Sequence, residues 1–369
     1  MGSITRTIAN NLTTDLGGAG GVNFKNIIIN GDMVVAQRGT SVSSITSDGY
    51  YTCDRWNIGL GSFGTWTQSQ ASDAPSGQGF TYALKMDCTT AQASPAGNSL
   101  VYIEHSIEGY NLQKIKQGTP GAEQTTLSFW HKHTKTGTNI VELLDQDNTN
   151  AVSGSYTQSV ADTWEKATIT FPANTSGTYD NDQNRSLRIR FIMGSGTDYT
   201  SGTLATTWQT SITDADRYVG QVNNADNTAN NFIITGVQYE VGDTATDFEF
   251  LPFDINRNRC LRYYYKYNED GSTNGVGVSH GLNTGEIFCD FYYPQKMRAN
   301  PTVSISASGD FSVQTGAADI TCNSFTTERI NKTNAILKFG VTGGTGIGQG
   351  TCATLLGSGS SRIIASSEL

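Results

Sequence analysis

The chain has 369 residues, enough for two ordinary cores, and carries 41 glycines with only 15% charged residues. Its net charge of −9 disfavours both a nucleic-acid groove, which needs basic residues, and docking on anionic lipid. No run of 18 apolar residues is present, so no helical membrane insertion is expected.

Residues 1–24 read as a separate element. Ile4, Ile8, Leu12 and Leu16 recur every four residues and would form one stripe on a helix. Four threonines weaken that helix, and the run Gly17–Gly21 cuts it from the rest of the chain. The segment also lacks the apolar core of a secretory signal. It is expected to be a docking peptide.

From residue 25 to 253 the pattern has period two. Tyr82, Leu84 and Met86 alternate with Thr81, Ala83, Lys85 and Asp87; Leu187, Ile189, Phe191 and Met193 alternate with Arg188, Arg190 and Ile192. One buried and one wet face means an antiparallel sandwich. No helical pattern of 10–15 residues intervenes, which argues against an α/β fold. The expected fold is therefore all-β, with a two-sheet jelly roll.

A joint follows. Phe248, Phe250 and Phe253 bracket Pro252, Asp254 is placed to cap a short helix, and Leu261–Tyr267 opens a smaller C-terminal β domain, residues 254–369, of about seven strands. Tyr263, Tyr264 and Tyr265 on one strand must point to both faces, so at least one face needs a cover. A neighbouring subunit is the expected cover. The six cysteines are widely spaced without a CxxC and are expected as buried thiols.

No catalytic constellation is present. The run GGTGIGQG at 343–350 lacks the Lys and Ser/Thr of a phosphate loop. Asp145/Asp147 and Asp180/Asp182 are candidates for a glycosidase pair, but they sit in turns, where Asp serves local hydrogen bonds. His131 and His133 share one strand face, a weak metal candidate set against a packed pair; no cofactor is expected. Trp56 and Trp164 read as core anchors. Trp66, Trp130 and Trp208, with Thr and Gln beside two of them, are candidates for sugar platforms, where flat rings meet pyranose faces.

Six motifs in order resemble fibre and appendage proteins of tailed bacteriophages: NIIINGDMVVAQRGTS (Asn26–Ser41), YTCDRW (Tyr51–Trp56), IEGYNL with LSFWHK, GQVNNADN, the junction TGVQYEVG…RCLRYYY, and YYPQKMRANPTV (Tyr292–Val303). The resemblance implies a jelly roll similar to carbohydrate-binding modules and a threefold assembly. Tyr263, Tyr264 and Tyr265 then become trimer contacts. It further implies a virion protein made in the host cytoplasm. Its N-terminus would dock on other phage proteins, and it would attach to bacterial polysaccharide or lipopolysaccharide as a tail fibre. A head fibre or a polysaccharide depolymerase are the alternatives.

Overall fold

The computed structural model describes residues 24–316, 318–342 and 347–369. The stripe Ile4, Ile8, Leu12, Leu16 and part of the 343–350 glycine run lie outside the described residues. Twelve strands build a jelly-roll sandwich. In chain order they are β1 (Ser41–Ile45), β2 (Gly49–Tyr50), β3 (Trp56–Gly61), β4 (Thr65–Ala71), β5 (Ala83–Thr90), β6 (Leu100–Glu108), β7 (Thr125–His133), β8 (Gly137–Asp145), β9 (Asn150–Gln158), β10 (Glu165–Phe171), β11 (Arg185–Ser195) and β12 (Asn231–Val241). One sheet runs β1-β4-β5-β12-β7-β10, the other β2-β3-β6-β11-β8-β9, and all their pairings are antiparallel.

The alternation read from sequence is the packing rule. Leu84 and Met86 of the first sheet and Leu187, Ile189, Phe191 and Met193 of the second are all turned inward. Phe129 of β7 meets Phe191 of β11 edge to face at 5.0 Å, closing the space between the sheets. Burying a ring of that size stabilises the fold by about 1.5–3 kcal/mol. Near the end of β12 the register shifts between Thr235 and Gln238. Gly236 makes the shift possible: its φ is +60°, and a Cβ there would lie 2.5 Å from the Phe80 ring.

Beyond β12, Phe248 and Phe250 hold the chain against the sandwich by packing on Phe80, each with ring centroids 5.0 Å from it. Helix α1 (Phe253–Leu261) then starts after Pro252 with no side-chain cap bond, so Asp254 lies within the first turn and not at the cap. Nine strands follow, against the seven expected. β13 (Tyr264–Tyr267), β16 (Thr302–Ile305) and β21 (Ile363–Ser366) form a small sheet ordered β13-β21-β16. β14 (Asn274–Asn283), β15 (Glu286–Tyr292), β17 (Phe311–Gln314), β18 (Asp319–Ile330), β19 (Asn334–Val341) and β20 (Cys352–Gly357) close a barrel in the order β14-β15-β19-β18-β17-β20. Its core includes Ile287, Phe291, Phe311, Leu337, Phe339 and Leu355.

Sandwich and C-terminal strands meet through a polar joint. The Asn256 side chain accepts from the Asn30 N–H (3.2 Å) and donates to Asp32 (3.0 Å). Arg262 pairs with Glu108 at 2.9 and 2.7 Å. The Arg55 guanidinium, fully buried, lies 3.5 Å over the Tyr263 ring and pairs with Glu368; Arg38 lies 3.6 Å over Tyr264 and reaches Glu368 at 3.0 Å.

These contacts correct the tyrosine expectation. Tyr263 (1% exposed) and Tyr264 (6%) are covered by arginines of their own chain, so neither offers a face to a neighbouring subunit. Tyr265 remains half-buried beside Phe291. All six cysteines are thiols; five are buried and Cys352 is exposed.

Candidate functional site

The three candidate tryptophans have different fates. Trp66 is fully buried, its indole N–H donating to the Phe63 carbonyl at 2.9 Å. It is a core residue and no platform. Trp208 is half-buried against the sandwich core and donates to the Pro172 carbonyl (2.8 Å). Trp130 is half-buried on the outer face of the first sheet, in register between Lys166 and Thr235. They lie on separate parts of the sandwich and form no common surface.

The histidine pair points inward. His131 Nδ1 is 2.8 Å from Gln158 Oε1, His133 Nε2 is 3.0 Å from the Tyr156 hydroxyl, and the His133 ring stacks on Phe232 at 3.8 Å. Burial pushes both imidazoles below their ordinary range, and for His133 the neighbouring His131 adds to it. The metal candidate is thereby corrected: the pair is packed core, and no group of three metal-type ligands occurs among the described residues. The turn carboxylates behave as turn residues. Asp145 accepts from the Asp147 and Asn148 N–H groups, both at 3.1 Å, and Asp147 accepts from the Asp180 N–H at 2.9 Å.

A polar row missed by motif reading crosses the outer face of the second sheet. Strand register aligns Asn57, Glu104, Arg190, Glu142 and Ser153 on β3, β6, β11, β8 and β9. Glu104 accepts from Arg188 (2.5 Å) and Arg190 (2.9 Å); Glu142 accepts from Arg217 (2.7 and 2.9 Å), Tyr218 (3.1 Å) and Arg190 (3.3 Å). Burial raises both carboxyls, but the arginines outweigh it and hold each below its ordinary range. Both stay ionised.

In the next row Tyr102 extends across β3. Gly59 provides the space, since a Cβ there would sit 2.1 Å from the Tyr102 Cζ. The far half of the face is covered by Tyr199, Leu204 and Tyr218 packed on Ile140 and Ile192. The near half leaves Asn57, Tyr102, Arg185 and Arg188 partly exposed. The Arg185 guanidinium is 3.8 Å from Glu104, and its side chain makes no hydrogen bond among the described residues. An aromatic ring flanked by an amide, a fixed carboxylate and guanidinium groups can orient a polyhydroxylated ligand.

No protein-family model matches the chain, and no curated protein matches it. Among solved structures, it is similar to the enzymatically active domain of tailspike protein 4 from bacteriophage CBA120 (18% identity, 59% of this chain and 21% of that one, TM-score 0.31). It is also similar to a putative sugar binding protein from Bacteroides thetaiotaomicron (13%, 58% and 99%, TM-score 0.30). A family 11 carbohydrate-binding module from Clostridium thermocellum, solved with a mixed-linked tetrasaccharide, is a third (11%, 56% and 98%, TM-score 0.29). The similarity therefore spans about a fifth of the length of the phage domain.

Proposed function

We propose that the chain is a non-catalytic glycan-binding appendage of a tailed phage, a tail fibre that attaches to bacterial surface polysaccharide or lipopolysaccharide. The observation that carries the glycan reading is the Tyr102 surface, where one ring lies beside the ionised Glu104–Arg188 pair. The same observation favours holding over cutting. Glu104 and Glu142 flank Arg190 and both accept from its guanidinium (2.9 and 3.3 Å), close enough for the two carboxylates of a glycosidase to be considered. Such a pair needs one carboxyl raised to act as the acid. Here arginines hold both down.

The phage reading rests on the six ordered motifs. Within it the chain assembles as a homotrimer, with contacts to be sought away from Tyr263 and Tyr264, and weak sugar contacts gain from threefold avidity. Its N-terminal stripe docks on the particle.

The test uses the full chain on immobilised lipopolysaccharide and capsular polysaccharide. Binding is expected, with a loss of at least tenfold in Tyr102→Ala and Arg188→Ala, and no growth of reducing ends. Sustained release of reducing ends overturns the non-catalytic reading; unchanged binding in both variants overturns the site. Light scattering of the free chain is expected at three times 39.6 kDa, and a stable single-chain mass removes the trimer.

A further inference from the structure

The barrel's exterior is uneven. Along β18 the exposed positions include Asp319, Thr321, Asn323, Thr326 and Arg329, an ordinary wet face. On the opposite edge β14 and β15 expose Val278 at 74% and Tyr292 at 69%. Between them and β13 opens a groove of about 640 Å³, inside the ~300–1,000 Å³ typical of ligand sites. Tyr265, Tyr267, Phe291 and Tyr292 line it, together with His280 and Asp290.

Its aromatics are set before any ligand arrives. The Tyr265 and Phe291 rings are nearly parallel (15°, centroids 5.9 Å apart), and Tyr267 stands edge-on to Phe291 at 5.9 Å. The Tyr267 hydroxyl donates to the Gly275 carbonyl at 2.9 Å, which fixes that ring further. Other polar groups remain unspent: no hydrogen bond among the described residues engages the Tyr265 or Tyr292 hydroxyl, the Asp290 carboxylate or the His280 ring.

We propose that this groove is a second ligand site, and that it takes an uncharged pyranose sugar. Flat rings suit the C–H faces of a pyranose, and the free phenols and carboxylate suit its hydroxyls. A purely apolar ligand, or an apolar face of a second copy, would strip water from Asp290 and two phenols and give nothing back. Among the described residues no Lys or Arg lines the groove, so an acidic sugar would meet Asp290 without a counter-charge. The groove thus differs from the arginine-rich sandwich face, and its case does not rest on that face.

The experiment is saturation-transfer NMR and titration of the full chain with cellotriose, chitotriose and β-1,4-galactotriose, and with trigalacturonate as the acidic probe. At least one neutral trisaccharide is expected to bind, at least tenfold more tightly than trigalacturonate. Tyr292→Ala and Asp290→Ala should each weaken it tenfold or more without moving Tm, whereas Val160→Ser, at an exposed site on the sandwich, should not. The proposal is overturned by no neutral trisaccharide binding, or by trigalacturonate binding equally well. Binding lost in Tyr102→Ala but kept in Tyr292→Ala assigns the sugar to the sandwich and overturns it too. So does a fall in particle mass on Tyr292→Ala, which makes the groove a contact between copies.

Discussion

The sandwich and the barrel fill their interiors differently. The sandwich buries Asp54, Arg55 and three histidines, and its outer face carries the buried Glu104, Glu142 and Arg190. Past α1, among the described residues, the buried polar side chains are Asn268, Ser279, Ser361 and Ser367, none of them ionisable. On their outsides, the barrel gathers Val278, Leu282 and Tyr292 on β14 and β15, whereas the sandwich exposes Tyr110 and Val160 far apart in the chain. The sandwich adds directional, partner-dependent contacts to its apolar core, while the barrel relies on apolar burial alone. Charge removal and acid should therefore strike the first and spare the second.

The sharpest way to break that contrast is at the joint. Arg55 is fully buried and pairs with Glu368 while lying over Tyr263. Arg55→Met takes away one of the two cations that hold Glu368, together with the guanidinium's hydrogen bond to the Ser106 carbonyl (2.7 Å), and leaves only Arg38 at 3.0 Å. A loss of about 3 kcal/mol is expected. Calorimetry should show the sandwich transition falling well below that of the barrel. Adding Glu368→Leu removes the under-compensated carboxylate and should recover part of the loss, with Arg38 keeping Asp54 at 3.5 Å. If both transitions move together, or neither moves, the contrast between a charge-dependent sandwich and an apolar barrel fails.

How much of this was legible in the sequence depends on distance along the chain. The alternation of Leu187 to Met193 against Arg188 and Arg190 contains the strand, its inner face and half of the polar row. What it lacks is register: only pairing places Glu104 and Glu142 on either side of Arg190. Trp66 shows the same limit. Thr65, Thr67 and Gln68 beside it suggest a wet face, yet Gln68 is buried because it accepts from the Thr52 N–H (2.9 Å) and hydroxyl (2.8 Å). Tyr263 and Tyr264 needed a cover, as their spacing implied. That cover is Arg55 and Arg38, some two hundred residues upstream, and no local signal announces it.

A smaller effect comes from pH. Burial pushes His105, His131 and His133 below the ordinary imidazole range; the Arg55 charge adds to it at His105. Unfolded, they protonate near about 6.5. Below that pH the folded chain binds fewer protons than the unfolded, so their contribution is full above it and lost as pH falls. Asp54 runs the other way. Burial pushes it up to about 6 from 3.8, against the pull of Arg38 and Gln37. Its contribution is present below 3.8 and lost as pH rises through about 6. Burial raises Asp32 and Asp145 in the same direction as Asp54. Between pH 7.5 and 5.5, however, the three unfolded imidazoles titrate, whereas the unfolded carboxyls titrate below that range, so the sandwich Tm should fall across it while the barrel Tm holds. Asp54→Asn removes one opposing group and should steepen the fall. Equal losses in both units would erase the contrast.

The mildest substitution isolates the Tyr102 surface from the stability of everything around it. Gly59 has no side chain, and a Cβ there would meet the tip of the Tyr102 ring at 2.1 Å. The ring tip is the movable end of a half-exposed side chain, so Gly59→Ala should swing it aside and leave β3 paired. Alanine also restricts the unfolded chain more than glycine does, which offsets part of the strain, and the net change in stability should stay within about 1 kcal/mol. Binding to immobilised polysaccharide should nevertheless drop several-fold, because the ring leaves its position beside Glu104 and Arg188. The neutral trisaccharide bound in the barrel groove should be unaffected. Loss at both places would mean that sandwich and barrel recognise one continuous glycan, and that their outer surfaces are not independent.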